Sequence, residues 1–188
     1  DDEQRAVVDG VGRVCADFGD DYWLARGRDG RFPEEFHAAM AAGGWLGIAM
    51  PAENGGAGLG ILEAALMMRT VAASGGAMAA ASAIHMNIFG PNAIVVHGTQ
   101  AQKKRMLEPL IRGDQKACFA VTEPNAGLDT TAITTRAKRD GESYVVDGRK
   151  IWTSTAQVAD KVMLLCRTTA LEDCAKPTDG MTLFYTDL

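Results

Sequence analysis

The hydrophobic period of this chain changes at Gly113, and that change constrains the fold more than any other feature. Before it, apolar residues recur at helical steps. After it, they come in short runs separated by Asp-Gly pairs. Helices first and strands afterwards define an α+β chain, because each kind of element must bury its own apolar face. The expected architecture is an all-α N-terminal helical domain over residues 1–114. An antiparallel, β-barrel-like domain follows over 115–188 and is incomplete within the chain.

Val7, Val11, Val14, Phe18 and Tyr22 fall on one helical face. Pro33 can open a second helix, which carries Phe36 and Met40 and stops at Gly43-Gly44. The stretch "GWLGIAMPAENGGAGLG" holds Pro51 and six glycines. Such a loop can approach a ligand or another chain closely. A third helix is expected from about 60 to 75, with Leu62, Leu66, Met67 and Val71. Residues 77 to 90 are nearly all small or apolar, which predicts a helix buried all round. Thr99 and Gln102 fit a capping box for a last helix that Pro109 should kink or shorten.

In the second part, "KACFAVT", "KVMLLC" and "MTLFYTD" read as strands. Asp140-Gly141 and Asp147-Gly148 both read as hairpin turns. No repeat and no low-complexity tract is visible. The chain starts without methionine inside a helical pattern and stops on a strand, which suggests part of a longer protein.

Composition excludes several classes. A net charge of -5 without a basic run argues against nucleic acid as a partner. No apolar run is read as reaching the roughly 18 residues that span a bilayer. Cys15, Cys118, Cys166 and Cys174 are far apart with no CxxC spacing, so no metal site is expected. They read as buried free thiols of an intracellular protein. There is no G-x-G-x-x-G, P-loop, H-E-x-x-H or G-x-S-x-G.

Two segments remain that suit chemistry. "VTEPNAGLD" places Thr122 beside Asn125, Ala126, Gly127 and Leu128, whose successive N–H groups can form an anion-binding concavity. Pro124 stiffens it. The same residues also make a turn that satisfies only itself. "KIWTST" sets Trp152 before three hydroxyl residues. Tryptophan can wall a flat ring while a hydroxyl donates to a ring nitrogen, or it can be an ordinary core residue at a strand end.

In order and spacing, "TEPNAGLD", a hairpin ending in "DG-K" and then "WTS" resemble the acyl-CoA dehydrogenase family. The resemblance extends over "GWLGIAMPAENGGAG" and "HGTQAQKKRMLEPLIRG", hence nearly the whole chain. It implies α,β-dehydrogenation of an acyl-CoA thioester by a flavoprotein, with electrons passing through FAD to an electron-transfer flavoprotein. It implies a homo-oligomer built as a dimer of dimers, in the cytoplasm, or in the mitochondrial matrix if eukaryotic. The residues it assigns to FAD are Phe119, Val121, Thr122, Gly127 and Leu128, together with Trp152, Thr153 and Ser154. Trp152 would pack at the flavin ring, and Ser154 stands where relatives carry a threonine that reaches the flavin N5. Leu128 stands where relatives have serine in "AGSD", so one cofactor contact is lost or the acyl entry is reshaped. His85 and Phe89, four apart on one helical face, would line the far end of the acyl pocket and set chain length. No catalytic residue is assigned, because the family's glutamate base lies in a C-terminal domain beyond Leu188; Glu123 and Asp129 read as structural. Without that domain, the 188 residues are expected neither to hold FAD tightly nor to turn over. Two other readings stay open: a flavin oxidase or monooxygenase of the same fold, and a non-catalytic binding protein.

Overall fold

The computed structural model describes residues 1–188. The chain divides into two compact units, Asp1–Lys116 and Ala117–Leu188.

The first unit is helical. Its helices are α1 (Asp2–Ala16), α2 (Asp20–Asp29), α3 (Glu34–Ala42), α4 (Ile61–Ala73), α5 (Ala77–Ile84), α6 (Met86–Phe89), α7 (Asn92–His97) and α8 (Gln100–Ile111). Its core gathers Val7 and Val11 from α1, Phe36 and Met40 from α3, Met67 and Val71 from α4, and Ala80 and Ile84 from α5, with Leu46 and Ile48 between. The apolar face from Val7 to Tyr22 is split between two helices, because Asp17 closes α1 and Gly19 caps α2. The face survives the break through rings. Phe18 meets Tyr22 and Phe36 edge-on at 4.9 and 5.4 Å, and Trp23 meets Phe36 at 5.2 Å.

Local signals account for most boundaries. Pro33 caps α3 and Gly43 closes it. At α8, the Gln102 N–H donates to Thr99 Oγ1 at 3.2 Å and the Thr99 N–H donates to Gln102 Oε1 at 2.8 Å. Pro109 lies within α8, which stops two residues later. The glycine-rich stretch from Gly44 to Gly60 is closed by its own backbone bonds. The N–H groups of Ala57, Gly58 and Leu59 donate to the carbonyls of Gly47, Met50 and Ile48 at 2.9–3.0 Å. A Cβ on Gly56 would lie 2.3 Å from the Met50 carbonyl oxygen, so glycine serves the chain's own closure there.

Two readings of residues 77–97 are corrected. Ala77–His97 is apolar and long enough to pass as a membrane span, and half of its most apolar window is buried. It is broken at His85 and at Gly90-Pro91 into α5, α6 and α7, as core helices of a folded unit can be. Nor is it buried all round, since Met78 is 72% and Phe89 48% exposed.

The second unit is a five-stranded mixed sheet of β1 (Ala117–Ala120), β2 (Arg136–Asp140), β3 (Ser143–Asp147), β4 (Lys161–Arg167) and β5 (Met181–Asp187). The antiparallel expectation holds for β2–β3 and β4–β5. Strand β4 also takes β1 in parallel along Lys161–Leu164 and touches β2 in parallel at Arg167. A parallel pair needs a long crossover, and residues 121–160 provide one between β1 and β4. Asp140-Gly141 is a hairpin turn, with Gly141 at φ 60°. Asp147-Gly148 is not: β3 ends at Asp147 and no strand follows before Lys161. Gly148 is needed for close approach instead, since its Cβ would lie 2.4 Å from Thr135 Oγ1. Cys118, Ala120 and Val162 form a small core that Ala156 and Ala159 cover. All four cysteines are free; Cys15, Cys118 and Cys166 are buried, whereas Cys174 is only half-buried.

Candidate functional site

Strand β1 leads directly into the turn that the sequence singles out. Phe119, Val121 and Thr122 are half-buried there. The Glu123 N–H donates to the Ala126 carbonyl at 3.0 Å and the Ala126 N–H returns a bond to Glu123 at 3.1 Å, closing the turn over Pro124-Asn125. The Ala126 N–H is therefore spent inside the turn, which removes it from the expected concavity. Gly127 is exposed with open space where a Cβ would stand, and Leu128 is fully exposed. Asp129 accepts from the Thr131 N–H at 3.0 Å and so caps a short 3-10 turn.

Glu123 is the electrostatic centre of this region. Its carboxylate is 4% exposed and accepts from the Thr134 N–H (2.7 Å), Thr134 Oγ1 (2.8 Å), the Thr135 N–H (2.8 Å) and Lys150 Nζ (2.8 Å). Burial pushes its pKa up. The bonds from Lys150, Thr135 and Thr134 outweigh burial and bring it down to about 2. A carboxylate so fully occupied has no free lone pair with which to take a substrate proton, in line with the structural reading of Glu123.

Lys150 carries the second segment to the first. Besides Glu123, its Nζ donates to the Val121 carbonyl at 2.9 Å, and the next N–H, of Ile151, donates to the Thr122 carbonyl at 2.9 Å. Immediately beyond lies Trp152, 85% exposed and at φ 57°. This is not the core tryptophan at a strand end that the sequence alone also allowed. A left-handed backbone costs an ordinary residue on the order of 1–2 kcal/mol, and solvent exposure of a whole indole returns nothing for it. Backbone strain of this kind clusters at functional sites, which makes the turn a candidate for one. Thr153 is half-buried and Ser154 exposed. Thr155 is again left-handed at φ 68°, and its buried Oγ1 has no hydrogen-bond partner.

The sheet unit thus ties Val121–Glu123, within the first expected segment, to Lys150 and Ile151, which directly precede the second, Trp152–Ser154. His85 and Phe89 belong to the helical unit. Their rings lie 5.4 Å apart at the α5–α6 break, and His85 Nδ1 donates to the Ser82 carbonyl at 2.9 Å. Sequence reasoning passed over Lys150 and Arg167. Arg167 is 3% exposed and donates to the carbonyls of Thr131, Ile133, Pro177 and Asp179, pinning two loops to β4. A cation at the end of the apolar run "VMLLC" was the available signal for it.

Residues 1–114 match the model of the acyl-CoA dehydrogenase N-terminal domain, and 118–188 match that of the middle domain. A 3-(aryl)acrylate reductase of Clostridium sporogenes is 35% identical over 156 residues, 83% of this chain and 40% of that protein. Acyl-CoA dehydrogenase FadE12 of Mycobacterium tuberculosis is 35% identical over 169 residues, 88% of this chain and 42% of that protein. The crystal structure of a probable acyl-CoA dehydrogenase from Mycobacterium abscessus superposes with a TM-score of 0.87 at 30% identity, over 98% of this chain and 48% of that one. The chain spans less than half the length of these relatives. With both domain models matched in order, the chain belongs to the acyl-CoA dehydrogenase family.

Proposed function

We propose that these residues supply the helical and cofactor-facing β portions of an FAD-dependent acyl-CoA dehydrogenase. The observation that carries this reading is Trp152, an exposed indole in a left-handed turn whose preceding residues, Lys150 and Ile151, bond Val121, Thr122 and Glu123 at the exit of β1. These residues fit a flavin. Trp152 offers a wall for its ring system, Thr122 and Ser154 offer hydroxyls for ring heteroatoms, and Thr155 Oγ1 is an unused polar atom in the same turn. Phe119 and Val121 line the approach, Thr153 extends the wall, and the open backbone at Gly127 and Leu128 suits pyrophosphate oxygens. Bound there, FAD supplies the hydride acceptor for the β-hydrogen of an acyl-CoA thioester.

The chain's own residues bind and orient in this reading; none removes the α-proton. Glu123 is fully bonded and Asp129 caps a turn, in line with the family resemblance, which implies a base in a C-terminal domain. Leu128 in the sheet unit and the His85–Phe89 pair in the helical unit are each proposed to influence acyl preference. Electron-transfer flavoprotein as acceptor, a dimer of dimers, and a setting in the cytoplasm, or in the mitochondrial matrix if eukaryotic, complete the proposal.

The test is to load the full-length protein with FAD and screen acyl-CoAs with an artificial electron acceptor. Flavin absorbance near equimolar and enoyl-CoA formation are expected. Absence of flavin binding, or binding indifferent to Trp152→Ala, refutes the site. A dehydrogenase should yield little peroxide, whereas rapid reaction with oxygen would favour an oxidase. A second reading runs the chemistry in reverse, toward reduction of an arylacrylate, and is favoured by the name of the Clostridium relative. Oxidation of the reduced protein by an arylacrylate but by no enoyl-CoA would select it.

A further inference from the structure

Trp152 is held in an unfavourable conformation without burial of its own. Such a conformation persists only where the surroundings over-determine it. Three fixings precede it in the chain. Gly148 is pressed against Thr135, Lys150 Nζ bonds the Val121 carbonyl and the Glu123 carboxylate, and Ile151 bonds the Thr122 carbonyl. After it, Ala156 and Ala159 pack on Cys118, Ala120 and Val162. Glu123 unites the first two fixings, because its other bonds hold Thr134 and Thr135, the residue against which Gly148 rests.

We propose that Lys150 and Glu123 form a buried clamp that positions the Trp152 turn, with Lys150 as its positioning residue. The clamp is visible in the sheet unit itself; its consequence for flavin rests on the function proposed above. Lys150 is 9% exposed and Glu123 4% in their side chains, so the clamp is shielded from solvent. A lysine suits the task because one ammonium can donate to a carbonyl and a carboxylate at once. The carboxylate bond neutralises the buried charge. The carbonyl bond ties residue 150 to the strand exit that leads to Thr122, and so fixes where the indole starts.

The two bonds make different predictions, and paired variants separate them. In the full-length protein, Lys150→Met removes both and leaves Glu123 unpaired. The Ile151 amide is expected to exchange at least about tenfold faster, and FAD to bind at least about tenfold more weakly. The double variant Glu123→Gln/Lys150→Met restores charge balance without restoring the tie to Val121. Its melting temperature should recover toward that of the parent, while the Ile151 exchange and the weakened FAD affinity persist. A double variant that regains parental exchange and affinity together with stability overturns the proposal, as does a Lys150→Met protein unchanged in both. Should the parent bind no flavin, the functional reading fails, and the exchange measurements still decide the clamp.

Discussion

Replacing Glu123 by glutamine should cost stability and, at the same time, flatten its acid dependence. The carboxylate is depressed from an ordinary 4.5 to about 2 in the folded chain. A shift of that size is equivalent to about 3 kcal/mol. Because the folded value is the lower one, this contribution is complete above about 4.5. It is lost progressively as the pH falls from 4.5 toward 2. Glu123→Gln keeps the shape but removes the charge that balances the Lys150 ammonium, 9% exposed, and turns an amide NH2 toward the N–H of Thr134 or of Thr135. Breaking one partner of a buried pair costs about 3–5 kcal/mol. The assay is urea unfolding followed by far-ultraviolet circular dichroism, at pH 7 and at steps between pH 5 and 2.5. Parent and variant should differ by at least about 3 kcal/mol at pH 7 and converge on acidification. Other titrating groups cancel in that difference. A variant within about 1 kcal/mol at pH 7, a surface-pair value, would refute the reasoning. So would two curves that stay parallel down to pH 2.5.

Other features give further outcomes. Burial pushes His37 down from 6.5 to about 4, with Lys116 adding repulsion, so its contribution is present above pH 6.5 and is lost as pH falls toward 4. His37→Leu should remove that part of the pH dependence, read as the melting-temperature difference between pH 7 and pH 5. Gly56→Ala places a Cβ 2.3 Å from the Met50 carbonyl oxygen and at least about 2 kcal/mol of destabilisation is expected in urea unfolding. Trp152→Ala and Leu128→Ser should each alter stability by less than about 1 kcal/mol because both side chains are exposed, while FAD titration reports weaker binding for the first. For Leu128→Ser, FAD affinity and acyl preference measured separately show which of the two the leucine governs; Phe89→Ala tests chain-length choice in the same screen.

Local chemistry was legible along the chain. The capping box at Thr99, the start at Pro33, the stop at Gly43 and the hairpin at Asp140-Gly141 each depend on a few neighbouring residues, and each stands where its sequence put it. The change of period at Gly113 likewise foretold helices and then strands. The ordered motifs pointed to the family that both domain models match.

The tertiary structure decided what depends on residues far apart. Asp147-Gly148 looked like a second hairpin because the dipeptide says nothing about Thr135, the neighbour that makes glycine necessary there. Strand β4 became the shared partner of β1, β2 and β5 because strand alternation specifies faces but not neighbours. Taken alone, Trp152 read more readily as a core residue at a strand end than as a wall for a ring, since periodicity is silent about a single aromatic beyond a strand. Its exposure and its left-handed turn follow from bonds between residues 27 to 29 positions apart, Lys150 to Glu123 and Val121. A charge at either position carries no label in the sequence that names its partner. Only folding brings the two together and takes them out of water, and burial gives the pair its strength.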